Sequence, residues 1–171
     1  MASDRSDGFE AFYRSQYRVL VRALTVACGD ANMAGETADE AFVRALERWP
    51  RVAVMSSPGG WLYRVAFNLV ARRGRRAEVE RRMGWRAAMQ ESVPPAEPDL
   101  ELWAAVGSLP LRMRQAVALR YILGLSEAEV ASAMGTTTGS ASATLTAARH
   151  NLKAKLRLCA DPTEVVAHGG P

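Results

Sequence analysis

Apolar residues recur three or four positions apart through most of this chain, and no run of alternating β-branched residues interrupts them. That periodicity predicts an all-α protein. The first helix is expected from about Phe9 to Ala27, with Phe12, Leu20, Leu24 and Ala27 on its apolar face, stopping near Gly29-Asp30. A second, from about Glu36 to Trp49, turns Ala38, Phe42, Ala45, Leu46 and Trp49 inward, and Pro50 terminates it. After a loop from Arg51 to Gly60, a third helix starts near Gly60. It carries Trp61, Leu62, Val65, Ala66, Leu69 and Val70 into a block of arginines.

Glu91 to Pro98 holds three prolines in eight residues, which breaks any helix and predicts a linker. Two small helical domains are therefore expected: residues 1–86, a linker over 87–98, residues 99–158, and a disordered tail over 159–171 that ends in Gly-Gly-Pro. The second domain opens on Leu100, Leu102, Trp103 and Val106, and Pro110 then starts a helix with Val117, Leu119 and Ile122. Ser126, with Glu129 three residues on, reads as a capping box for a short helix that Met134-Gly135 ends. Beyond the turn, Ala141, Leu145, Ala148, Leu152 and Leu156 make one face of a long helix, and Thr137, Ser140, Ser142, Thr144 and Arg149 are expected opposite. Two helices joined through a glycine turn have the geometry of a helix-turn-helix that enters a major groove, although the pattern alone equally fits a plain helical hairpin.

Composition sharpens this picture mainly through the placement of charge. The 171 residues carry a net charge of only +4, and 49% hydrophobic content is ample for packed cores. Yet Arg64, Arg72, Arg73, Arg75, Arg76, Arg81, Arg82 and Arg86 face only Glu78 and Glu80, while Ser126 to Ala148 contains two acids and no base. Aromatic and basic residues interleave in Trp61, Tyr63, Arg64, Phe67 and Asn68, followed by four arginines around Gly74. Nucleic acid suits this mixture, because guanidinium groups hold phosphates and aromatic faces accept unstacked bases. Trp61, Val65 and Leu69 also fit a buried core face. The charges Glu36, Asp39, Glu40, Arg44, Glu47 and Arg48 would by themselves make an ordinary solvated helix face.

No phosphate-binding loop, metal-ligand cluster or catalytic set appears, so neither enzymatic activity nor a metal or cofactor is expected. Cys28 and Cys159 lie far apart in apolar surroundings and read as packed free thiols rather than a disulfide or a redox sensor. No apolar run reaches membrane-spanning length and Met1 to Gly8 is polar, which predicts a cytoplasmic chain without membrane insertion.

Four segments in one order carry a further signal: Phe9 to Tyr17 (FEAFYRSQY), Ala34 to Trp49 (AGETADEAFVRALERW), Gly60 to Arg73 (GWLYRVAFNLVARR) and Leu109 to Leu156. Together they resemble extracytoplasmic-function sigma factors of bacterial RNA polymerase, members of the sigma-70 family. The resemblance implies a two-domain initiation factor whose partners are core RNA polymerase, through the beta-prime clamp helices and the beta flap, promoter DNA, and an anti-sigma protein. It places Glu36, Asp39, Glu40, Arg44 and Arg48 at the polymerase contact. It assigns the minus-ten element to Arg51, Trp61, Arg64, Asn68, Arg72, Arg73, Arg75 and Arg76, where a flipped base is read on its pairing edge. It assigns the minus-thirty-five element to Thr137, Thr138, Ser140, Ser142, Thr144 and Arg149. The chain departs from the family pattern early in the recognition helix, where Ser140 to Thr144 replace a basic cluster and Thr138 replaces a β-branched aliphatic residue. Without Lys or Arg near the groove little counterion is released, so promoter choice is expected to lean on the first domain or an auxiliary protein. The alternative is a DNA-binding regulator with the same helices that never replaces the housekeeping sigma.

Overall fold

The computed structural model describes residues 2–74 and 100–160, with side chains placed for 8–73 and 101–157. Among the described residues there is no strand, as the periodicity predicted. The first half holds α1 (Ala2–Cys28), α2 (Ala31–Glu47), α3 (Trp49–Val52) and α4 (Pro58–Gly74). The second holds α5 (Leu100–Gly107), α6 (Leu111–Val117) running into a π-helical turn (Ala118–Ile122), α7 (Glu127–Met134) and α8 (Thr138–Ala160). The proline-rich linker and the tail lie outside the described residues, as do Arg75 and Arg76.

Small residues let α1 and α2 approach closely: Ala23, Ala27, Ala34, Ala38, Ala41 and Ala45 are all fully buried. Around them the aromatics of the Phe9–Tyr17 segment close on α2 and α3. Phe9 meets Trp49 edge-on at 5.3 Å and Phe12 meets it at 5.1 Å, while Tyr13 stands edge-on to Phe42 at 4.8 Å and stacks on Tyr17. Such pairs each add about 0.5–1.5 kcal/mol beyond their buried area.

Several boundaries differ from expectation. Helix α2 starts five residues before Glu36, because Asp30 follows Gly29 in the left-handed region and its carboxylate caps the Met33 N–H at 2.9 Å. The helix ends at Glu47, and Pro50 sits inside α3, near its start, where a missing N–H costs nothing. Arg51 is therefore helical, and only residues 53–57 separate α3 from α4, which begins at Pro58 rather than Gly60. Leu46 was expected in the core but is 55% exposed. The buried face of α2 runs through Ala34, Ala38, Ala41 and Ala45, and Leu46 lies 100° past Ala45.

The second half forms as predicted at its turn. Ser126 accepts the Glu129 N–H while the Glu129 carboxylate accepts the Ser126 N–H at 2.8 Å, and Gly135 ends α7 with φ +63°. A Cβ at Gly135 would meet nothing within 4 Å, so Gly135→Ala isolates the backbone strain. We expect a loss of about 1–2 kcal/mol in urea unfolding. Ala141, Leu145 and Ala148 are buried, but Leu152 and Leu156, expected in the same core face, are only half-buried. They line a groove of about 660 Å³ between α5, the π turn and α8.

The two halves share one hydrophobic core. Helix α1 packs on α6 and the π turn, and α4 packs on α7. Arg114, 3% exposed, closes this junction. Its Nε donates to the Ala27 carbonyl at the end of α1 (3.0 Å), and Nη1 donates to the carbonyls of Gly107 (3.2 Å) and Leu109 (3.0 Å) at and just beyond the end of α5. A guanidinium thus satisfies terminal carbonyls of two helices, where the helix dipoles also favour a cation.

Candidate nucleic-acid interface

Helix α4 divides its residues by face. Leu62, Tyr63, Ala66, Phe67, Leu69 and Val70 turn inward, and the Tyr63 hydroxyl donates to Gln16 Oε1 to fix α4 against α1. The opposite stripe is Trp61, Arg64, Asn68 and Arg72, the last three exposed and Trp61 half-buried against the core. Spacings of three and four residues put an aromatic plane, an amide and two guanidiniums in one row. The chemistry of that row suits an anionic, partly unstacked strand.

Arg73 does not join it. One residue on from Arg72 is 100° around the helix, and Arg73 turns towards α2. There its Nη2 meets Glu40 Oε2 at 2.6 Å, and its Nη1 lies 3.2 Å from the Thr37 hydroxyl and 3.8 Å from Glu36. Arg51 is exposed on α3, apart from the α4 row in sequence.

The outer face of α2 combines acids with two apolar residues that sequence reasoning missed or misplaced. Val43 and Leu46, each 55% exposed, stand among Glu36, Asp39 and Glu47, all exposed. Helical spacing places Val43 opposite the alanine stripe and Leu46 on its flank. Glu36 is 74% exposed, whereas Glu40 is held between Arg44 and Arg73, each at 2.6 Å. Burial, and then the nearby Asp39 carboxylate, push the Tyr17 phenol up to about 12. Arg48 is exposed, and its backbone N–H caps α2.

At the start of α8 the Thr137 hydroxyl accepts the Ser140 N–H at 3.2 Å as a cap. Thr144, expected on the outer face, is half-buried, and its hydroxyl donates to the Ser140 carbonyl at 2.8 Å. Both are thus engaged in holding their own helix. Thr138 is exposed, and Ser140 and Ser142 lie on the flanks. The face opposite Ala141, Leu145 and Ala148 instead presents Ala143, Thr146 and His150. Thr146 is the functional candidate missed, and 100° steps from the buried alanines would have found it. Arg149 stands with Lys153 and Arg157 beside the apolar groove, about 16 Å along the axis from Thr138.

Among the described residues no group of His, Cys, Asp and Glu is placed to hold a metal ion, and no helix is long and apolar enough to cross a membrane. Cys28 is buried, its thiol 3.2 Å from the Asp30 carbonyl.

Residues 99–152 match the family model for sigma-70, region 4. A search of curated proteins gives no match. Among solved structures the chain is similar to the sigma factor RpoE in complex with the anti-sigma factor NepR from Bartonella quintana. Identity is 16%, the match covers 88% of this chain and 97% of that one, and the TM-score is 0.70. That likeness spans both halves and extends the shared fold well beyond the second. Residues 99–152 therefore match a sigma-70 region 4, and the chain as a whole shares its fold with a sigma factor.

Proposed function

We propose that this chain is an initiation factor of the extracytoplasmic-function type, which binds core RNA polymerase and directs it to promoters by binding rather than by catalysis. The observation that carries this is the row of half-buried Trp61 and exposed Arg64, Asn68 and Arg72 on one face of the same chain whose residues 99–152 match region 4. In this reading the row meets the minus-ten element, with Arg75 and Arg76 continuing the basic charge. The outer face of α2 docks on the beta-prime clamp helices through Val43 and Leu46, with Glu36 and Asp39 setting register. Buried apolar contact supplies affinity there and the acids supply specificity and on-rate.

The start of α8 meets the minus-thirty-five element through Thr138, Ser140, Ser142, Thr146 and the helix N-terminus, which favours a phosphate. Arg149, whose Nη2 donates to the Thr146 hydroxyl at 3.2 Å, is the base beside that face, and with so little positive charge its share of the affinity is small. The groove of Leu102, Trp103, Val106, Ile122, Leu152 and Leu156, flanked by Arg149, Lys153 and Arg157, suits an amphipathic segment with acidic flanks, and we assign it to the beta flap.

The two promoter elements lie about 25 base pairs apart, roughly 85 Å along B-DNA at 3.4 Å per step. The longest helix here, α1 with 27 residues, is about 40 Å long, and the halves share one core. Engaging both elements therefore requires the junction at Arg114 to open. An anti-sigma protein that binds across the halves would keep it closed.

Competition with the housekeeping sigma for purified core polymerase tests the proposal. The native chain is expected to displace the housekeeping sigma, and Glu36→Ala with Asp39→Ala to lose roughly tenfold or more in that competition. Binding to DNA alone, with no competition for polymerase, would make the chain a regulator instead.

A further inference from the structure

We infer that Glu40 is a shared carboxylate that holds Arg73 away from DNA in the free chain and yields it when polymerase engages α2. The inference rests on the assignment of α2 to polymerase and α4 to DNA. Both carboxylate oxygens of Glu40 are taken, Oε1 by Arg44 and Oε2 by Arg73, each at 2.6 Å. Thr37 and Glu36 hold the other nitrogen of Arg73, so the guanidinium lies on α2 although its neighbour Arg72 faces solvent with the DNA row. Side-chain exposures of 37% for Arg73 and 33% for Glu40 leave the pair reachable from outside. A cationic group presented to the acidic face of α2 competes with Arg73 for the same oxygen. With Glu40, and Glu36 beside it, engaged by polymerase, the guanidinium can exchange these carboxylates for the phosphate backbone that passes Arg72.

Two sites joined through one carboxylate are coupled, and the coupling is reciprocal: polymerase strengthens DNA binding, and DNA strengthens polymerase binding by the same factor. Pairs exposed to this degree are individually weak, so the effect is a modest gain rather than an on-off switch. It biases the free chain against binding DNA before it has found polymerase. Arg73 is in these terms a positioning residue for assembly order as well as a DNA contact.

The test is a double-mutant cycle on the full chain without polymerase, read as affinity for a forked DNA duplex of generic sequence over a series of salt concentrations. Glu40→Gln is expected to tighten binding about fivefold and to steepen the salt slope by roughly one unit, as one added phosphate contact requires. Glu40→Gln with Arg73→Gln should lose both gains, and Glu10→Gln, an equal change of net charge on α1, should show neither. No gain in Glu40→Gln, or a gain that survives loss of Arg73, overturns the inference. With polymerase bound, Arg73→Gln should weaken promoter complexes about fivefold, several times its effect on the free chain. A chain that fails to bind polymerase while Glu40→Gln still gains DNA affinity through Arg73 would refute the polymerase assignment and leave the carboxylate clamp standing.

Discussion

Arg114→Met should destabilise the protein by about 3–5 kcal/mol, because it takes the donor from three carbonyls, at roughly 1–3 kcal/mol for each one left buried and unsatisfied. Methionine fills much of the same volume, so the loss isolates hydrogen bonding rather than packing. Three carbonyls, Ala27 and Leu109 in the interior and Gly107 at its margin, would lose their donor. Arg114→Lys keeps the charge but not the fork, and one ammonium on a flexible stem does not reach carbonyls at the ends of two helices together. Urea unfolding at constant m-value measures the loss. Because the three acceptors lie on both sides of the junction, the same variant should also separate the halves, read as an increased radius of gyration in solution scattering. A variant as compact and as stable as the native chain would show that apolar packing alone holds the halves together.

Arg64→Ala, Asn68→Ala and Arg72→Ala combined should reduce promoter complexes of the polymerase-bound chain by about 10²–10³-fold, three contacts at roughly 1 kcal/mol or more each. The salt slope should fall by about two, one unit for each lost guanidinium. Folding should be preserved, since all three side chains are exposed and the inward face of α4 is untouched. Core polymerase binding should persist, because the substitutions lie on a different helix from Val43 and Leu46. Normal promoter complexes from the triple variant would remove α4 from the DNA interface and shift attention to residues 75–86.

Much of the candidate site is legible in the sequence alone. The capping box at Ser126, the left-handed Gly135 and the burial of Ala141, Leu145 and Ala148 are legible because each depends on neighbours within one or two turns. The chemistry of Trp61, Arg64, Asn68 and Arg72 was also legible, since residue type and helical spacing suffice to make a row. The boundaries at Asp30 and Pro50 are not legible, because a cap and a helix start compete with the stop signals that the same residues carry. Arg73 reads like Arg72 in the sequence, because charge along the chain does not reveal which side of a helix has a carboxylate within reach.

The sequence by itself determined the local structure: which stretches are helical, where most of them turn, and that the second half is a helix pair around a glycine. Hydrogen bonds and apolar stripes within a few residues decide these matters, and they are written in consecutive letters. Only the tertiary structure decided that Arg114 is buried across the junction, that Glu40 is shared by Arg44 and Arg73, and that Leu46, Leu152 and Leu156 face outward or into a groove. Each of those outcomes depends on atoms from helices distant in the chain, where burial, charge pairing and carbonyl ends meet only after the helices have packed.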